Sequence, residues 1–373
     1  LGVWGLKKLA LREKPVVPKP LVILAVLLFL AYAASLIHSE YLAQSFYALC
    51  FKYAKYLFLM LAVADGVKEK RVALRMALVL SLMGAFLCLD GFYQFFSGRD
   101  LLLFREAGRL DVFCGALTFH AFRATAIFPA ANSFASYLVP VLMLAIALSF
   151  FYVPRGGASV WKKGIVLTCL LLGLLLTFSR GGLIACVGGI LMLSFLFKKT
   201  RVLIIPAILL VIFLFGRNIY GNRSAGNGAI DPTVETRLLM LKDATRLFQE
   251  HPWTGVDLNT YYKNIEKNQD PSLPPDYAHN CYIQIIAEVG IVGFVSFLAL
   301  VVYWFAWGIK SFGKLRDPEL KFLLGGVLAG VFGLCVASFF DNVLFELLPA
   351  TLFWILLGYG IALTTLGSEK SIT

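Results

Sequence analysis

The sequence predicts an all-α, polytopic transmembrane protein. Of its 373 residues, 59% are hydrophobic and 15% are charged, whereas soluble domains have roughly 45–50% and about 25%. Apolar stretches of about 18 residues or more recur, and each is long enough to cross a hydrocarbon layer of about 30 Å. Helices are expected because backbone polar groups in lipid have to be satisfied within their own segment.

Ten spans are expected, at 21–37, 42–64, 73–96, 133–153, 160–178, 181–197, 202–216, 281–309, 322–340 and 348–366. They divide the chain into N-terminal membrane helices at 1–216, an outer loop domain at 217–280, and C-terminal membrane helices at 281–373. The first part includes a middle-sized outer segment at 97–132. The start of the chain is basic and interrupted by prolines, so its first apolar run is interpreted as a span and not as a cleaved signal peptide.

The distribution of charge orients these spans. One side, which includes both termini, carries 20 of the 34 Lys and Arg residues in short polar segments. The segment 217–280 lies on the opposite side, with seven Lys or Arg against eight Asp or Glu. The positive-inside rule therefore predicts cytoplasmic termini and an extracytoplasmic 217–280. The net charge of +12 mainly reflects topology and attraction to anionic lipid, and no basic face indicates nucleic-acid binding.

Within 217–280, one stretch is expected to be helical. Asp231-Pro232 is typical of a helix start, and apolar side chains alternate with charges from Thr233 to Glu250, as in an amphipathic helix. The apolar residues of this pattern are Leu238, Leu239, Leu241, Leu247 and Phe248.

Arg180 is the first candidate for chemistry. A single helix over 160–197 would be about 57 Å long at about 1.5 Å per residue, too long for one crossing. The chain is therefore expected to reverse near 177–182, leaving Arg180 at the outer surface. Ser179 is then expected to cap the next helix, with Gly181 giving a ligand access to backbone amides, and an arginine at a helix start favours anion binding. The alternative is an arginine that snorkels to the headgroups.

Three further outer residues have side chains suited to catalysis or anion binding. Arg237 and Arg246 follow the predicted helix start, and guanidinium groups match phosphate oxygens, although paired surface charges are the commoner explanation. His279, followed by Asn280, directly precedes a span. A neutral imidazole can act as a general base, but a histidine at a helix start is more often a cap.

Lys52 and Lys55 lie inside a predicted span and share a helix face. Lysines within a span are costly and usually face a cavity or a partner, so we expect them to contact an anionic lipid head or a neighbouring helix. Candidate counterparts are Asp90, Gln94, Asp341, Asn342 and Glu346.

No metal or cofactor is indicated by the motifs. The seven cysteines show no zinc-ligand or redox spacing, and no D-x-D pair, Walker or GxSxG element is present on the outer side. An enzyme of this kind that handles pyrophosphate would need arginines in place of the metal.

Four motifs, together covering roughly 120–300, resemble the O-antigen ligase and polymerase superfamily. They are FRATAIFPAANSFASYL (122–138), TFSRGG (177–182), HPWTGVD (251–257) after Arg237, and HNCYIQIIAEVGIVG (279–293). Their order, spacing and sidedness make the match fairly specific to the superfamily. Ligases of this family usually have more spans than the ten predicted here.

The resemblance implies a membrane-embedded glycosyltransferase of the C type whose donor is a glycan on a polyprenyl (undecaprenyl) pyrophosphate. By the same resemblance, Arg180 and Arg237 match the arginines that hold the pyrophosphate, and His279 matches the base that activates the acceptor. Further substrate-binding candidates are Ser179, Gly181, Arg123, Arg246, Asn280, Lys52 and Lys55. A ligase acting on lipid A–core is favoured. A polymerase using a second lipid-linked unit, a transporter of anionic glycolipid, and a structural scaffold remain alternatives.

Overall fold

The computed structural model describes residues 17–106, 109–114, 117–151, 158–210, 212, 232–266 and 277–369. Seven helices in these ranges are long and apolar enough to cross a membrane, and two shorter apolar helices cover Lys163–Leu176 and Arg180–Leu196. The predicted multi-pass, all-α membrane fold is confirmed.

The N-terminal helices present many apolar side chains on the outside of the fold, as lipid-facing helices do. They are α1 (Lys19–Ala34), α2 (Leu42–Ala48), α3 (Ala54–Gly66) and α4 (Lys70–Ser97). A 3₁₀ turn, Ser35–His38, follows α1, and a π-helical turn, Leu49–Tyr53, joins α2 to α3. Together α2 and α3 form one span.

The outer segment 97–132 contains a β-hairpin that the sequence analysis did not predict. Strand β1 (Arg109–Cys114) pairs antiparallel with β2 (Leu117–Phe122), and Arg109 lies opposite Phe122. Aromatic and β-branched residues in both strands favour extended backbone. The hairpin belongs to the outer segment, so the membrane part remains helical.

The centre of the fold consists of helices that pack closely through small residues. They are α5 (Ala131–Phe151), α6 (Ala158–Leu176), α7 (Arg180–Leu196), α11 (Pro318–Ala337) and α12 (Leu347–Glu369). A Cβ added to Gly330 of α11 would lie 2.9 Å from Cα of Pro140 in α5. Such small residues let helix backbones approach each other in a membrane.

Helix α10 (Cys281–Lys314) is broken near its first third. Its 34 residues would extend about 51 Å if straight. Gly290 instead has φ 64° and ψ −173°, a left-handed φ that suits glycine. The break separates a short outer helix from a longer helix that is sufficient to cross the membrane.

The amphipathic outer helix is confirmed as α8 (Pro232–Glu250), which begins at the predicted Pro232. Its buried residues differ partly from the predicted ones: Met240, Ala244 and Leu247 are buried, whereas Leu239 and Leu241 are exposed. Ala244 and Leu247 pack with residues of α9 (Tyr261–Glu266) and with Ala287 of α10 in a second, smaller core. Contact with the first part of α10 therefore decides which stripe of α8 is buried.

The predicted seventh span, 202–216, is only partly covered by the described residues. A 3₁₀ turn, Lys198–Leu203, is followed by helix over 204–210. Residues 211 and 213–216 lie outside the described ranges, as do 217–231 and 267–276.

Candidate active site

The chain reverses between α6 and α7, as predicted. Oγ1 of Thr177 donates to the carbonyl of Leu174 at 2.6 Å, and Oγ of Ser179 accepts from N–H of Gly182 at 3.1 Å. Ser179 is therefore the N-cap of α7, as the sequence predicted. Arg180 is the first residue of this helix, and its side chain is exposed.

Gly181 and Gly182 are explained by helix packing. A Cβ on Gly181 would lie 2.8 Å from Cβ of Phe340, and one on Gly182 would lie 2.6 Å from Cβ of Ala135. Phe340 and Ala135 thus fill the space that a side chain at either glycine would occupy. The sequence had instead predicted that this space would be open to a ligand. A substrate contact through the Gly181 amide stays a prediction.

Arg123 reaches this turn from the outer segment. Its Nε donates to the carbonyl of Thr177 at 3.0 Å, and Nη2 donates to Oδ1 of Asn132, near the start of α5, at 3.3 Å. The side chain therefore ties the α6–α7 turn to α5. Of the predicted substrate-binding residues, Arg123 is the one placed directly beside the turn that carries Arg180.

Gln94 fixes the backbone that follows Arg123. Its Oε1 accepts from N–H of Thr125 at 2.7 Å and from N–H of Ala126 at 2.9 Å, while Nε2 donates to Oγ1 of Thr125 at 2.9 Å. Asp90, one turn earlier, accepts from N–H of Leu101 at 2.6 Å. These two residues hold the outer segment to α4 and are not the expected counterparts of the intramembrane lysines.

His279 lies just before α10 and contacts a carboxylate. Its Nδ1 is 3.1 Å from Oδ1 of Asp341, which follows α11. The imidazole is 29% exposed, whereas the Asp341 side chain is 10% exposed. His279 also has a φ of 46°, uncommon for a residue with a side chain and a kind of strain that tends to cluster at functional sites. This arrangement suits a general base oriented by a buried carboxylate.

Asn280, the residue after His279, is the helix cap. Its Oδ1 accepts from N–H of Tyr282 at 3.0 Å and from N–H of Ile283 at 3.2 Å, and Nδ2 donates to the carbonyl of Phe339 at 3.2 Å. The amide is thus used inside the protein. Capping accounts for Asn280 in the fold and leaves His279 available for another role, while a substrate contact of Asn280 stays a prediction.

A chain of polar contacts connects Arg123 to His279. Asn132, which accepts from Arg123, also hydrogen-bonds the Asp341 carboxylate, which in turn contacts His279. We call Arg123, Arg180, His279, Asp341 and Glu346 the outer polar cluster. Two of the predicted residues, Arg180 and His279, are therefore brought to one region, from α7 and from the start of α10.

Within the outer polar cluster, neighbouring charges and hydrogen bonds shift the pKa values of Asp341 and Arg123. Burial alone would raise the pKa of Asp341, but hydrogen bonds from His279 and from N–H of Asn342, the charge of His279, and Asn132 together hold that pKa below its usual value. Burial lowers the pKa of Arg123, Asp341 raises it, and Arg180 lowers it again. Arginine remains charged across such shifts, so the Arg123 guanidinium lies within electrostatic range of both the Asp341 carboxylate and the Arg180 guanidinium.

Glu346 behaves differently from Asp341. Burial raises the pKa of Glu346 to about 7, and the negative charge of Asp341 adds to this rise, while the Ser133 hydroxyl and His279 oppose it. Oε2 of Glu346 is buried and has no hydrogen-bond partner among the described residues. The cluster therefore contains one ionised carboxylate and one carboxyl group that titrates near neutrality.

The two outer-helix arginines are placed on α8. Arg237 lies in the first part of this helix, but its side chain is outside the described residues. Arg246 is half-buried, nearer the end of α8. The contribution of both residues to the outer polar cluster stays a prediction.

Lys52 contacts the protein itself. Its Nζ donates to Oδ1 of Asn259 at 2.5 Å, lies 5.5 Å from the centre of the Phe345 ring and is within electrostatic range of the buried Glu288. Lys52 thus contacts Asn259 and lies near a carboxylate that was not among the predicted counterparts, while a contact with a lipid head stays a prediction. Lys55 places Nζ 5.0 Å from the centre of the Tyr56 ring.

Sequence reasoning missed the roles of Asp341, Asn132 and Asn259. Asp341 was considered only as a counterpart of lysine, because nothing in the sequence indicates that the α11–α12 connection meets the start of α10. A usable signal was present: polar residues gather directly at the outer ends of several spans, and those ends converge in any compact bundle.

Comparisons with known proteins bear on the family and on the fold. A family model described as O-antigen ligase matches residues 165–298. A search of curated proteins gave no match. Among solved structures, a chain from a peptidoglycan synthase complex, in work on polymerization and crosslinking, aligns with TM-score 0.52 and 17% identity, covering 95% of this chain and 98% of that one.

The rod shape determining protein RodA of Thermus thermophilus aligns with TM-score 0.43 and 15% identity, covering 94% of this chain and 96% of that one. At 17% identity, the likeness to the synthase-complex chain is one of fold. The family match covers Arg180, α8 and the His279 segment, so residues 165–298 are similar to the O-antigen ligase family, in agreement with the resemblance of the sequence motifs.

Proposed function

We propose that the protein is an O-antigen ligase-type membrane glycosyltransferase. It moves a glycan from an undecaprenyl pyrophosphate donor to lipid A–core or a related glycan acceptor. The observation that carries this proposal is the contact between His279 and Asp341, joined through Asn132 to Arg123 beside Arg180. These contacts support a base and an anion site in one region, in a chain whose residues 165–298 match the ligase family model.

The donor pyrophosphate would be held by guanidinium groups. Arg180 is exposed at the start of α7, where the helix dipole also favours an anion. Arg123 is near enough to interact electrostatically with Arg180, and Arg237 would approach from α8. Cations aimed at the departing diphosphate stabilise the charge that develops as the anomeric bond breaks.

The acceptor would be activated by His279. The Asp341 carboxylate would accept a hydrogen bond from Nδ1–H of His279. Nε2 is then the basic nitrogen of the neutral ring. Nε2 takes the proton of an acceptor hydroxyl, whose oxygen bonds to the anomeric carbon. The bond from that carbon to the pyrophosphate oxygen breaks, and its electron pair leaves on undecaprenyl pyrophosphate. Attack from the opposite face would invert the anomeric centre.

The site would lie at the periplasmic face of a bacterial inner membrane. The charge distribution supports an outer loop domain on the side opposite the basic loops, and His279 of the outer polar cluster lies at the end of that domain, just before α10. Both termini would then be cytoplasmic. Lipid-linked glycans are exposed at this face, so donor and acceptor would meet there.

The test is glycan transfer by the purified protein in lipid nanodiscs, with an undecaprenyl-pyrophosphate glycan as donor and lipid A–core as acceptor. We expect a glycosylated acceptor, detected by mass spectrometry, and release of undecaprenyl pyrophosphate. A product found only when a second donor unit is the acceptor would identify a polymerase. Movement of the donor across vesicles, unchanged by H279A and without transfer, would identify a transporter and refute the enzyme.

A further inference from the structure

Asn259 connects three separate parts of the fold. Its N–H donates to Oε2 of Glu288 in α10 at 2.8 Å, its Oδ1 accepts from Nζ of Lys52 at 2.5 Å, and its carbonyl accepts from Nε2 of Gln44 in α2 at 3.3 Å. Its φ is 61°, a left-handed value for which asparagine is among the better-suited side chains. This residue therefore uses its side chain and both backbone polar groups in long-range contacts.

The chain just before Asn259 fills the break in α10. N–H of Ile291 donates to the carbonyl of Pro252 at 2.9 Å, and N–H of Val256 donates to the carbonyl of Ala287 at 3.0 Å. A Cβ on Gly255 would lie 2.3 Å from the backbone of Glu288, so only glycine permits this approach. The backbone groups released at Gly290 are thus satisfied by residues 252–256, as a broken helix at membrane depth requires.

The same segment is also tied to α2. The Asp257 carboxylate accepts from N–H of Tyr41 at 3.2 Å and from Oγ of Ser45. Residues 252–259, which we call the docking segment, thus contact α10 on one side and α2 on the other. Asn259 is where the two sets of contacts meet.

We propose that Asn259 is a positioning residue for the transferase, acting with Lys52 and Glu288 to lock the docking segment against the membrane helices. This inference rests on the proposed function. The docking segment follows α8, which carries Arg237, and Glu288 lies on the short outer helix that begins just after His279. Locking both to α2 would fix the distance between the donor-binding arginine and the base, and misplacement by about 1 Å can cost a rate factor of about 10².

Lys52 and Glu288 would hold this lock by charge as well as by hydrogen bonds. Glu288 is 1% exposed, and Gln284 donates to its Oε1 at 3.0 Å. Removing one partner of a buried pair leaves an uncompensated charge, whereas removing both is far less destabilising. The K52M/E288Q double variant should therefore fold well without restoring the lock.

The experiment compares N259G, K52M and K52M/E288Q with wild type by glycan-transfer kinetics, thermal unfolding and hydrogen exchange. N259G keeps the left-handed backbone and loses the side chain. We expect each variant to lower kcat at least tenfold, with a smaller change in KM for the donor, and to accelerate exchange in residues 252–260. K321M is the matched control, because Lys321 also lies over an aromatic ring, with Nζ 4.9 Å from the centre of Phe312, and has no assigned part in the site, so it should behave as wild type.

Two results would overturn the inference. One is wild-type kcat and exchange in N259G. The other is a double variant whose stability and kcat both return to wild type, since this would show that the pair is only structural. If wild type itself transfers no glycan, the proposed function fails, while the exchange comparison still tests whether Asn259 fixes the docking segment.

Discussion

Nδ1 of His279 lies 3.1 Å from Oδ1 of Asp341, a contact between residues 62 positions apart in the sequence. The contact joins the end of the outer loop domain to the connection between α11 and α12. A carboxylate at Nδ1 fixes both the tautomer and the ring orientation of a histidine. The pair therefore links the packing of two membrane helices to the protonation state of the proposed base.

Replacing His279 should impair glycan transfer more than replacing Asp341. H279A removes the base and is expected to lower kcat by about 10²–10⁴-fold, the range typical of general-base catalysis. D341N should keep the shape of the site but favour the wrong tautomer, with a loss of at least about tenfold. Single-turnover transfer rates would measure both losses. Full activity in H279A would refute the assigned base.

Binding of the donor by Arg180 should depend on the planar, bidentate guanidinium as well as on its charge. We expect R180A to lower kcat/KM for the donor by about 10²-fold, and R180K to recover only part of it, because lysine cannot bind phosphate oxygens bidentately. R99A is a suitable control, since Arg99 is an exposed arginine of the outer segment paired with Glu106 at 2.9 Å. Equal losses in R99A and R180A would point to a nonspecific charge effect.

Glu346 should make stability depend on pH. Its pKa of about 7 in the fold is above the ordinary value of 4.5, so the folded protein binds this proton more tightly than the unfolded chain does. The contribution is neutral below about pH 4.5 and becomes destabilising as pH rises through 7. E346Q should therefore raise the unfolding temperature more at pH 8 than at pH 5. An equal effect at both pH values would contradict the raised pKa.

The pH dependence of transfer should report the same group. Ionisation of Glu346 adds a second negative charge beside Asp341, which weakens the attraction of the outer polar cluster for pyrophosphate. We expect KM for the donor to rise above about pH 7 in wild type and to rise less in E346Q. Initial rates measured from about one pH unit below neutrality to about two units above it would show the difference.

Two glycines of α10 should respond oppositely to alanine. At Gly290 a Cβ would lie 2.3 Å from the carbonyl oxygen of Trp253 and φ is 64°, whereas nothing lies within 4 Å of a Cβ on Gly313. G290A should destabilise the protein and loosen the docking segment. G313A should be neutral or stabilising by roughly 0.5–1 kcal/mol, since alanine favours helices. Thermal unfolding in detergent would compare the two variants. Equal stability would contradict a break of α10 at Gly290.

Sequence patterns predicted much of the architecture because their causes are local. Apolar stretches long enough to cross a membrane require helices wherever they occur, and the reversal at 177–180 follows from helix length alone. The cap at Ser179 and the start of α8 at Pro232 depend on residues within one turn of each other. These features were confirmed by the structure.

Packing decided which polar residues meet. The sequence left Lys52 open between a lipid head and a neighbouring helix and left Asp341 without a histidine, because the periodicity of single helices contains no information about which helix ends converge. Asn132 and Asn259 gained their roles only when segments more than 200 residues apart were brought together, as in the bond from Lys52 to Asn259, 207 positions away. The sequence by itself thus determined the spans and the residue types available for chemistry, while tertiary packing decided their partners, because long-range hydrogen bonds in a membrane bundle depend on how the helices are arranged around each other.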